Sequence, residues 1–80
     1  MKILKTSDYS IFKLDVNRVV RMLPKHIDRL TKQMKKIGWV DSSVIVVDEK
    51  FNLIDGYYRL FAARRNFMPV TYVVVKNKFV

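Results

Sequence analysis

The sequence predicts a small α+β domain in which a mixed β-sheet packs against two main helices, about 24–37 and 57–67. Two observations support this class. Apolar residues recur at helical spacing in both helical segments, and the β-branched runs at 44–47 and 70–75 are typical of strands. The chain has 80 residues, 50% of them hydrophobic. We therefore expect one domain over residues 1–80 with a limited core.

The predicted strands are short and are separated by turn residues. Residues 3–4 and 11–14 each favour a strand, with a turn at 7–8 between them. Residues 44–47 suit a buried strand, and 51–54 alternate in polarity and return as its neighbour. We expect these elements and the helices to share one core, formed by Ile27, Leu30, Met34, Val44, Val46, Ile54, Leu60, Ala63, Phe67, Val73 and Val75.

Both predicted helices have recognisable ends. In the first helix, Pro24 suits the opening turn and Gly38 suits the left-handed residue that ends a helix. Opposite its apolar stripe lies a row of cations that either tracks a phosphate backbone or faces solvent, formed by Lys25, Arg29, Lys32 and Lys36. The second helix follows Asp55 and Gly56 and stops before Pro69, which cannot continue it.

The formal net charge is +9, and it is unevenly distributed. Residues 1–36 carry ten Lys or Arg and three Asp, whereas residues 37–55 carry one Lys and four acids. Residues 56–80 carry five cations and no acid. The two basic segments, 1–36 and 56–80, favour a protein with a polyanionic partner, such as nucleic acid, nucleotide or an acidic protein. A positive charge that serves only solubility is the less favoured interpretation.

Several classes of protein are excluded by composition. Cysteine is absent, which excludes disulfides, thiolate zinc sites and cysteine chemistry. The longest aliphatic runs, such as 44–47, are too short to span a bilayer. The N-terminus lacks the apolar stretch of a signal peptide. We therefore expect a cytoplasmic protein that does not engage a membrane.

The densest candidate site is the predicted strand-to-helix junction at 54–59. A helix start presents unpaired N–H groups and the positive end of its dipole, which together favour a phosphate. Gly56 lets an anion approach the backbone, Arg59 offers a bidentate contact, and Asp55 can hold a divalent cation across the phosphates. The same residues also fit a plain capped turn. Tyr57 and Tyr58 either stack on a base or pack around the helix start.

This junction resembles the Asp-Gly-x-x-Arg-x-x-Ala-Ala box of ParB-like domains, which share their fold with sulfiredoxin. The defined positions of the box are filled by Asp55, Gly56, Arg59, Ala62 and Ala63. Asn17, the first helix, residues 36–39 and the strands around 44–47 and 69–74 follow that family's order and spacing. The resemblance therefore covers residues 15–75.

The resemblance implies that Gly56 and Arg59 face the phosphates of a nucleotide, with CTP or ATP and Mg²⁺ as the ligands. In chromosome-segregation ParB proteins the box reads Gly-Glu-Arg-Arg and serves CTP binding and hydrolysis. In sulfiredoxins it reads Gly-Cys-His-Arg and serves ATP-dependent reduction, which the absence of cysteine excludes here. In this chain Tyr57 and Tyr58 occupy the two variable positions of the box. The resemblance therefore supports phosphate binding more strongly than it supports catalysis. Family members often have a basic residue next to Asn17, near the bound phosphates.

We therefore predict a ParB-like binding module of phage or plasmid origin, which holds nucleotide or nucleic-acid phosphates and presents a basic surface to DNA. The predicted phosphate-binding residues are Gly56, Tyr57, Tyr58, Arg59, Arg18 and Arg21. The predicted DNA-contacting residues are Lys25, Arg29, Lys32, Lys36, Arg64 and Arg65.

Two alternatives stay open. The first is a small interaction or inhibitor protein, encoded by a mobile element, that uses its basic face on an acidic protein. The second, and less favoured, is an enzyme, a metal-dependent nuclease or nucleotidase with Asp55 as its catalytic and metal-binding residue. We also expect that an exposed edge at 70–75 would allow a homodimer by strand pairing.

Overall fold

The computed structural model describes residues 2–39 and 43–76. Its elements follow in the order β1 (Ile3–Thr6), a 3₁₀ turn (Tyr9–Ile11), α1 (Val16–Val20), α2 (Pro24–Ile37), β2 (Ile45–Asp48), β3 (Leu53–Asp55), α3 (Tyr57–Arg65) and β4 (Val70–Val75). One mixed sheet with helices packed on it confirms the predicted α+β class.

The described strands form one sheet in the order β1-β4-β2-β3. Strand β4 pairs antiparallel with β1 and parallel with β2, so it is an interior strand. The expected exposed edge at Val70–Val75 is therefore wrong, because both sides of β4 are already hydrogen-bonded. The apolar run predicts a strand, but it does not show that β1 returns from the N-terminus to pair with it.

The outer edge of β3 is covered by the chain at Lys13. Lys13 forms a parallel bridge to Asn52, with backbone hydrogen bonds of 2.8 Å on either side of it. The strand expected over 11–14 is wrong. The 3₁₀ turn extends to Ile11, and the isolated bridge at Lys13 is the only β-pairing described between that turn and α1. The Asp8 side chain accepts a hydrogen bond from a backbone N–H of that turn. Such a local bond competes with strand formation.

Helix α1 is a short helix that the sequence pattern did not predict. Asp15 is its N-cap, and Asp15 Oδ1 accepts from the Asn17 N–H over 2.9 Å. Val16 and Val20 are both more than two-thirds exposed. Because no apolar stripe faces the core, hydrophobic periodicity does not reveal this helix.

Helix α2 begins and ends at the predicted residues. Pro24 lies in its first turn, and Gly38 ends it with a φ of 81°. Ile27 and Met34 are buried, whereas Ile37 is exposed. The buried part of the apolar stripe therefore ends before the last residue of the helix. None of the helices in the described parts of the chain has the length and apolar composition needed to cross a membrane.

The buried face of β2 is the opposite of the predicted one. Ile45 and Val47 are fully buried, while Val44 and Val46 are half-buried. A short β-branched run fits either register, because successive side chains alternate between the two faces of a strand. The start of α3 decides between them: a Cβ added at Gly56 would come within 3.0 Å of Ile45 Cγ1.

Two other predicted core residues lie at the surface. Ile54 is 37% exposed and Phe67 is 89% exposed. Helix α3 ends at Arg65, earlier than predicted, and Asn66 caps it by donating its backbone N–H to carbonyls of the last turn. Strand β3 also starts later than predicted, because Phe51 turns the chain with a left-handed φ of 63°. The other predicted core residues are buried or half-buried.

The observed register predicts that Val47→Ala destabilises the protein more than Val46→Ala. The first substitution leaves a cavity at a fully buried position and should cost roughly 2 kcal/mol. The second truncates a half-buried side chain and should cost less than about 1 kcal/mol. Equilibrium urea unfolding of both variants measures the difference. An equal or larger loss for Val46→Ala would instead support the opposite register.

Candidate functional site

The junction between β3 and α3 is built around Gly56. Its φ is 104°, in the left-handed region where a side chain is strained, and it packs against Ile45. Gly56 is the N-cap of α3, and no side chain caps this helix start. The alternative in which Asp55 caps the turn is therefore wrong. The helix has no internal acceptor for its first-turn N–H groups, and the positive end of its dipole lies at this junction.

Arg59 lies in the first turn of α3 with its side chain one-third exposed. Its Nη2 is 3.5 Å from Asp55 Oδ2, and the Asp55 side chain is largely exposed. Arg59 Nε is buried and has no hydrogen-bond partner among the described residues. A long, solvent-screened ion pair contributes little. The guanidinium group thus keeps donors that the described residues do not strongly engage.

Arg18 reaches the same junction from α1. Its Nη1 donates to the Ile54 carbonyl over 2.6 Å, and its guanidinium carbon lies 4.2 Å from the centre of the Tyr57 ring. The buried Tyr57 hydroxyl accepts from the Asp15 N–H at 3.0 Å and donates to the Leu53 carbonyl at 3.2 Å. Of the two roles considered for Tyr57, packing is the observed one. Its ring supports Arg18 through a cation–π contact.

Tyr58 connects the start of α3 to the start of α2. Its hydroxyl accepts from the Leu23 N–H over 2.9 Å, and Leu23 is the N-cap residue of α2. The Tyr58 ring lies 5.9 Å from the His26 ring, centre to centre. Because the ring is only half-buried, one part of it borders the open space beside Gly56.

These segments surround an open cleft of about 690 Å³, a volume typical of small-ligand pockets. All the predicted phosphate-binding residues line it, namely Arg18, Arg21, Gly56, Tyr57, Tyr58 and Arg59. Among the described residues, three arginines and one carboxylate, that of Asp55, line the cleft, and this balance of charge favours anions. Met22, Leu30 and Ser43 also line the cleft and were not predicted, since they carry no motif and approach only in the folded chain.

A smaller cavity of about 190 Å³ adjoins the cleft. The two cavities share Leu30, Ser43 and Arg59. The rest of the lining is mainly apolar, formed by Gln33, Met34, Ile37, Gly38 and Trp39. The indole N–H of Trp39 donates to Thr71 Oγ1 over 2.7 Å, which anchors this ring to the sheet.

The cations predicted to contact DNA lie outside the cleft. All of them are exposed, with Lys25, Arg29, Lys32 and Lys36 on α2, and Arg64 and Arg65 on α3. Arg65 Nη1 lies 2.6 Å from Asp28 Oδ1 and so links the two helices. The Arg64 guanidinium lies 5.4 Å from the centre of the Phe61 ring.

Asp55 is the one carboxylate that lines the cleft among the described residues. Within residues 2–39 and 43–76, no group of three or more His, Asp or Glu side chains is arranged to hold a metal ion. Mg²⁺ is commonly bound through one or two carboxylates together with substrate phosphates. Asp55 therefore fits Mg²⁺ as part of a nucleotide complex.

The described residues form a small α+β domain with a four-stranded mixed sheet and a glycine at the β3–α3 junction. The chain is similar to a solved structure, the C2221 form of a Pnob8-like ParB-N domain, with a TM-score of 0.68 and 21% sequence identity. The match covers 96% of this chain and 30% of that chain. No family model and no curated protein matches. The chain thus has the ParB-N fold, as the resemblance implied, and it spans under a third of the matched chain.

Gly56→Ala is expected to destabilise the protein by about 2–5 kcal/mol. The left-handed φ costs about 1–2 kcal/mol in an L residue, and the new Cβ must displace Ile45, an overpacking cost of about 1–3 kcal/mol. Thermal or urea unfolding measures the loss. Gly56→Asn is the control, because Asn tolerates a left-handed φ but carries the same Cβ. Near-wild-type stability of Gly56→Asn would show that the contact with Ile45 is unimportant.

Tyr57→Phe is expected to cost about 1–2 kcal/mol of unfolding free energy, since it leaves the Asp15 N–H and the Leu53 carbonyl without their partner. Tyr58→Phe is the matched control. It removes a hydroxyl that accepts a hydrogen bond from the Leu23 N–H, and this hydrogen bond is exposed to solvent. Water can replace that bond, so the cost should stay below about 1 kcal/mol. Equal losses in urea unfolding would contradict the assignment of Tyr57 as the residue that docks α1.

Proposed function

We propose that the cleft binds the phosphates of a nucleoside triphosphate, with CTP or ATP and Mg²⁺ as the candidate ligands. The observation that carries this proposal is the convergence of Arg18, Arg21 and Arg59 at the uncapped start of α3. Guanidinium groups match phosphate oxygens with planar pairs of donors, and the helix dipole attracts the same charge. The long Arg59–Asp55 contact supports the proposal, because a weakly held guanidinium group can pair with a phosphate instead.

The adjoining cavity supports a nucleotide over a bare phosphate. Its apolar lining, which includes Leu30, Met34 and Trp39, suits a flat base. Gln33 adds an amide that can both donate to and accept from a base edge. Arg59 lines both cavities, so one ligand can extend from the cleft into the smaller space.

We propose binding rather than rapid turnover as the activity of this cleft. Tyr57 and Tyr58 occupy the variable positions of the box, and both hydroxyls bond to backbone groups of neighbouring segments. Neither is placed as a general base. Asp55 is available to hold Mg²⁺ when a nucleotide is bound. A metal-dependent nucleotidase is the second candidate function, supported by the position of Asp55 in the cleft.

Amide NMR titration of ¹⁵N-labelled protein with CTP and then ATP, each with Mg²⁺, tests the proposal. We expect saturable shifts centred on residues 56–59, followed by residues 17–21. Arg59→Gln should weaken binding about tenfold or more, because a hydrogen bond to a charged group contributes about 1.5–3 kcal/mol. Arg64→Gln makes the same charge change on the same helix outside the cleft, and it should leave the affinity within about twofold.

Two results would overturn the binding proposal. One is the absence of shifts at residues 56–59 at millimolar nucleotide. The other is an equal loss of affinity in Arg59→Gln and Arg64→Gln, which would indicate attraction by net charge alone. Phosphate release measured on the same samples separates binding from turnover. Turnover that requires Mg²⁺ and is abolished by Asp55→Asn would establish the nucleotidase instead.

A further inference from the structure

Phe67 places an aromatic ring on the surface in an unfavourable backbone conformation. The residue is 89% exposed, and its φ is 55°. Glycine and asparagine adopt this left-handed conformation after a helix far more readily than a bulky residue does. An exposed ring gains little from packing within its own chain. Within residues 2–39 and 43–76, neither the backbone nor the core accounts for phenylalanine at this position, which points to a role in binding.

The end of α3 that carries Phe67 is held against one flank of α2. Arg65 Nη1 donates to Asp28 Oδ1 over 2.6 Å. One residue later, Asn66 Nδ2 donates to the Thr31 carbonyl over 2.9 Å. These two contacts hold the two residues immediately before Phe67 against this flank of α2.

This flank of α2 is basic. Lys32 and Lys35 follow Asp28 and Thr31 by one helical turn, so they extend the same flank of α2, and both are exposed. Asp28 is the only acidic residue in α2 and α3. We name this region the α3-end surface, formed by Phe67, Arg65, Lys32 and Lys35.

The α3-end surface is separate from the nucleotide cleft. Phe67 and Gly56 flank opposite ends of α3, which is about 13 Å long. On α2, the cleft and its adjoining cavity are lined by Leu30 and Ile37. At 100° per residue these two side chains lie on the opposite flank from Lys35.

We propose that the α3-end surface binds single-stranded nucleic acid, with one base stacked on Phe67 and the adjacent phosphates held by the Lys and Arg side chains. Single-strand binders combine aromatic platforms with a basic track in this way. A duplex keeps its bases stacked on one another and offers no base face to the ring. The core of a protein interface is depleted of charged residues, whereas three of the four residues that form this surface are cations. Charge and ring together therefore favour a single strand over an acidic protein.

Fluorescence anisotropy with a labelled oligothymidylate of about 12 nucleotides tests this site, at about 50 mM salt. Phe67→Asn should weaken binding about tenfold, since it removes the stacking platform. The same substitution should leave folding stability unchanged or raised, because Asn tolerates the left-handed φ. Phe67→Tyr keeps an aromatic ring and should retain the affinity within about twofold. The double variant K32Q/K35Q should flatten the dependence of log K on log salt by about 1.4.

The outcomes distinguish this site from the cleft and from other partners. Phe67→Asn should preserve the amide shifts caused by CTP or ATP, and Arg59→Gln should preserve oligothymidylate binding. The proposal is overturned if Phe67→Asn binds oligothymidylate as tightly as the wild type does. It is also overturned if the wild type does not bind oligothymidylate but binds a polyglutamate peptide, and Phe67→Asn weakens that binding. An acidic protein would then be the partner.

Discussion

The close packing of Gly56 on Ile45 is the contact on which the arrangement of the cleft depends. Ile45 is fully buried, and a Cβ at Gly56 would lie only 3.0 Å from Ile45 Cγ1, so that Ile45 would have to shift. This contact brings the first residue of the α3 region directly onto β2 and decides which face of β2 is inside. Because the glycine has no side chain, it also leaves the helix start without a cap. One packing constraint thus produces both the register of the sheet and an open end of a helix.

Tyr57 extends this arrangement from the sheet to α1. Its hydroxyl bonds to Asp15 at the start of α1 and to Leu53 in β3, and its ring lies under Arg18. Helix α1 is therefore docked by polar contacts as well as by Val19, which packs against the core, while Val16 remains exposed. The consequence for the cleft is that an arginine from a distant segment is held beside the start of α3 before any ligand binds. A guanidinium group positioned in this way loses less conformational entropy on binding.

The features that could be predicted from sequence are those encoded within a few residues. Pro24 and Gly38 delimit α2 because a fixed φ and a left-handed φ are local properties. The Gly56 to Arg59 junction was identifiable for the same reason, and the resemblance led to the correct fold. The burial of Ile45 rather than Val46 was not predictable, because both registers satisfy the pattern and a helix formed later in the chain decides between them. The lining of the cleft by residues such as Ser43 likewise follows from tertiary packing alone.

Gly56 and Phe67 show how a left-handed backbone position can be interpreted in two different ways. At Gly56 the conformation and the absence of a side chain have a complete internal explanation, namely the contact with Ile45. An internal explanation does not exclude a functional one, but it means that the glycine alone is no argument for a ligand. The argument there comes from the three arginines. At Phe67 the situation is reversed: the conformation disfavours the residue, and its exposed ring gains nothing from the core. A side chain that costs stability and contributes none is better explained by what it contacts outside the chain than by the fold that carries it.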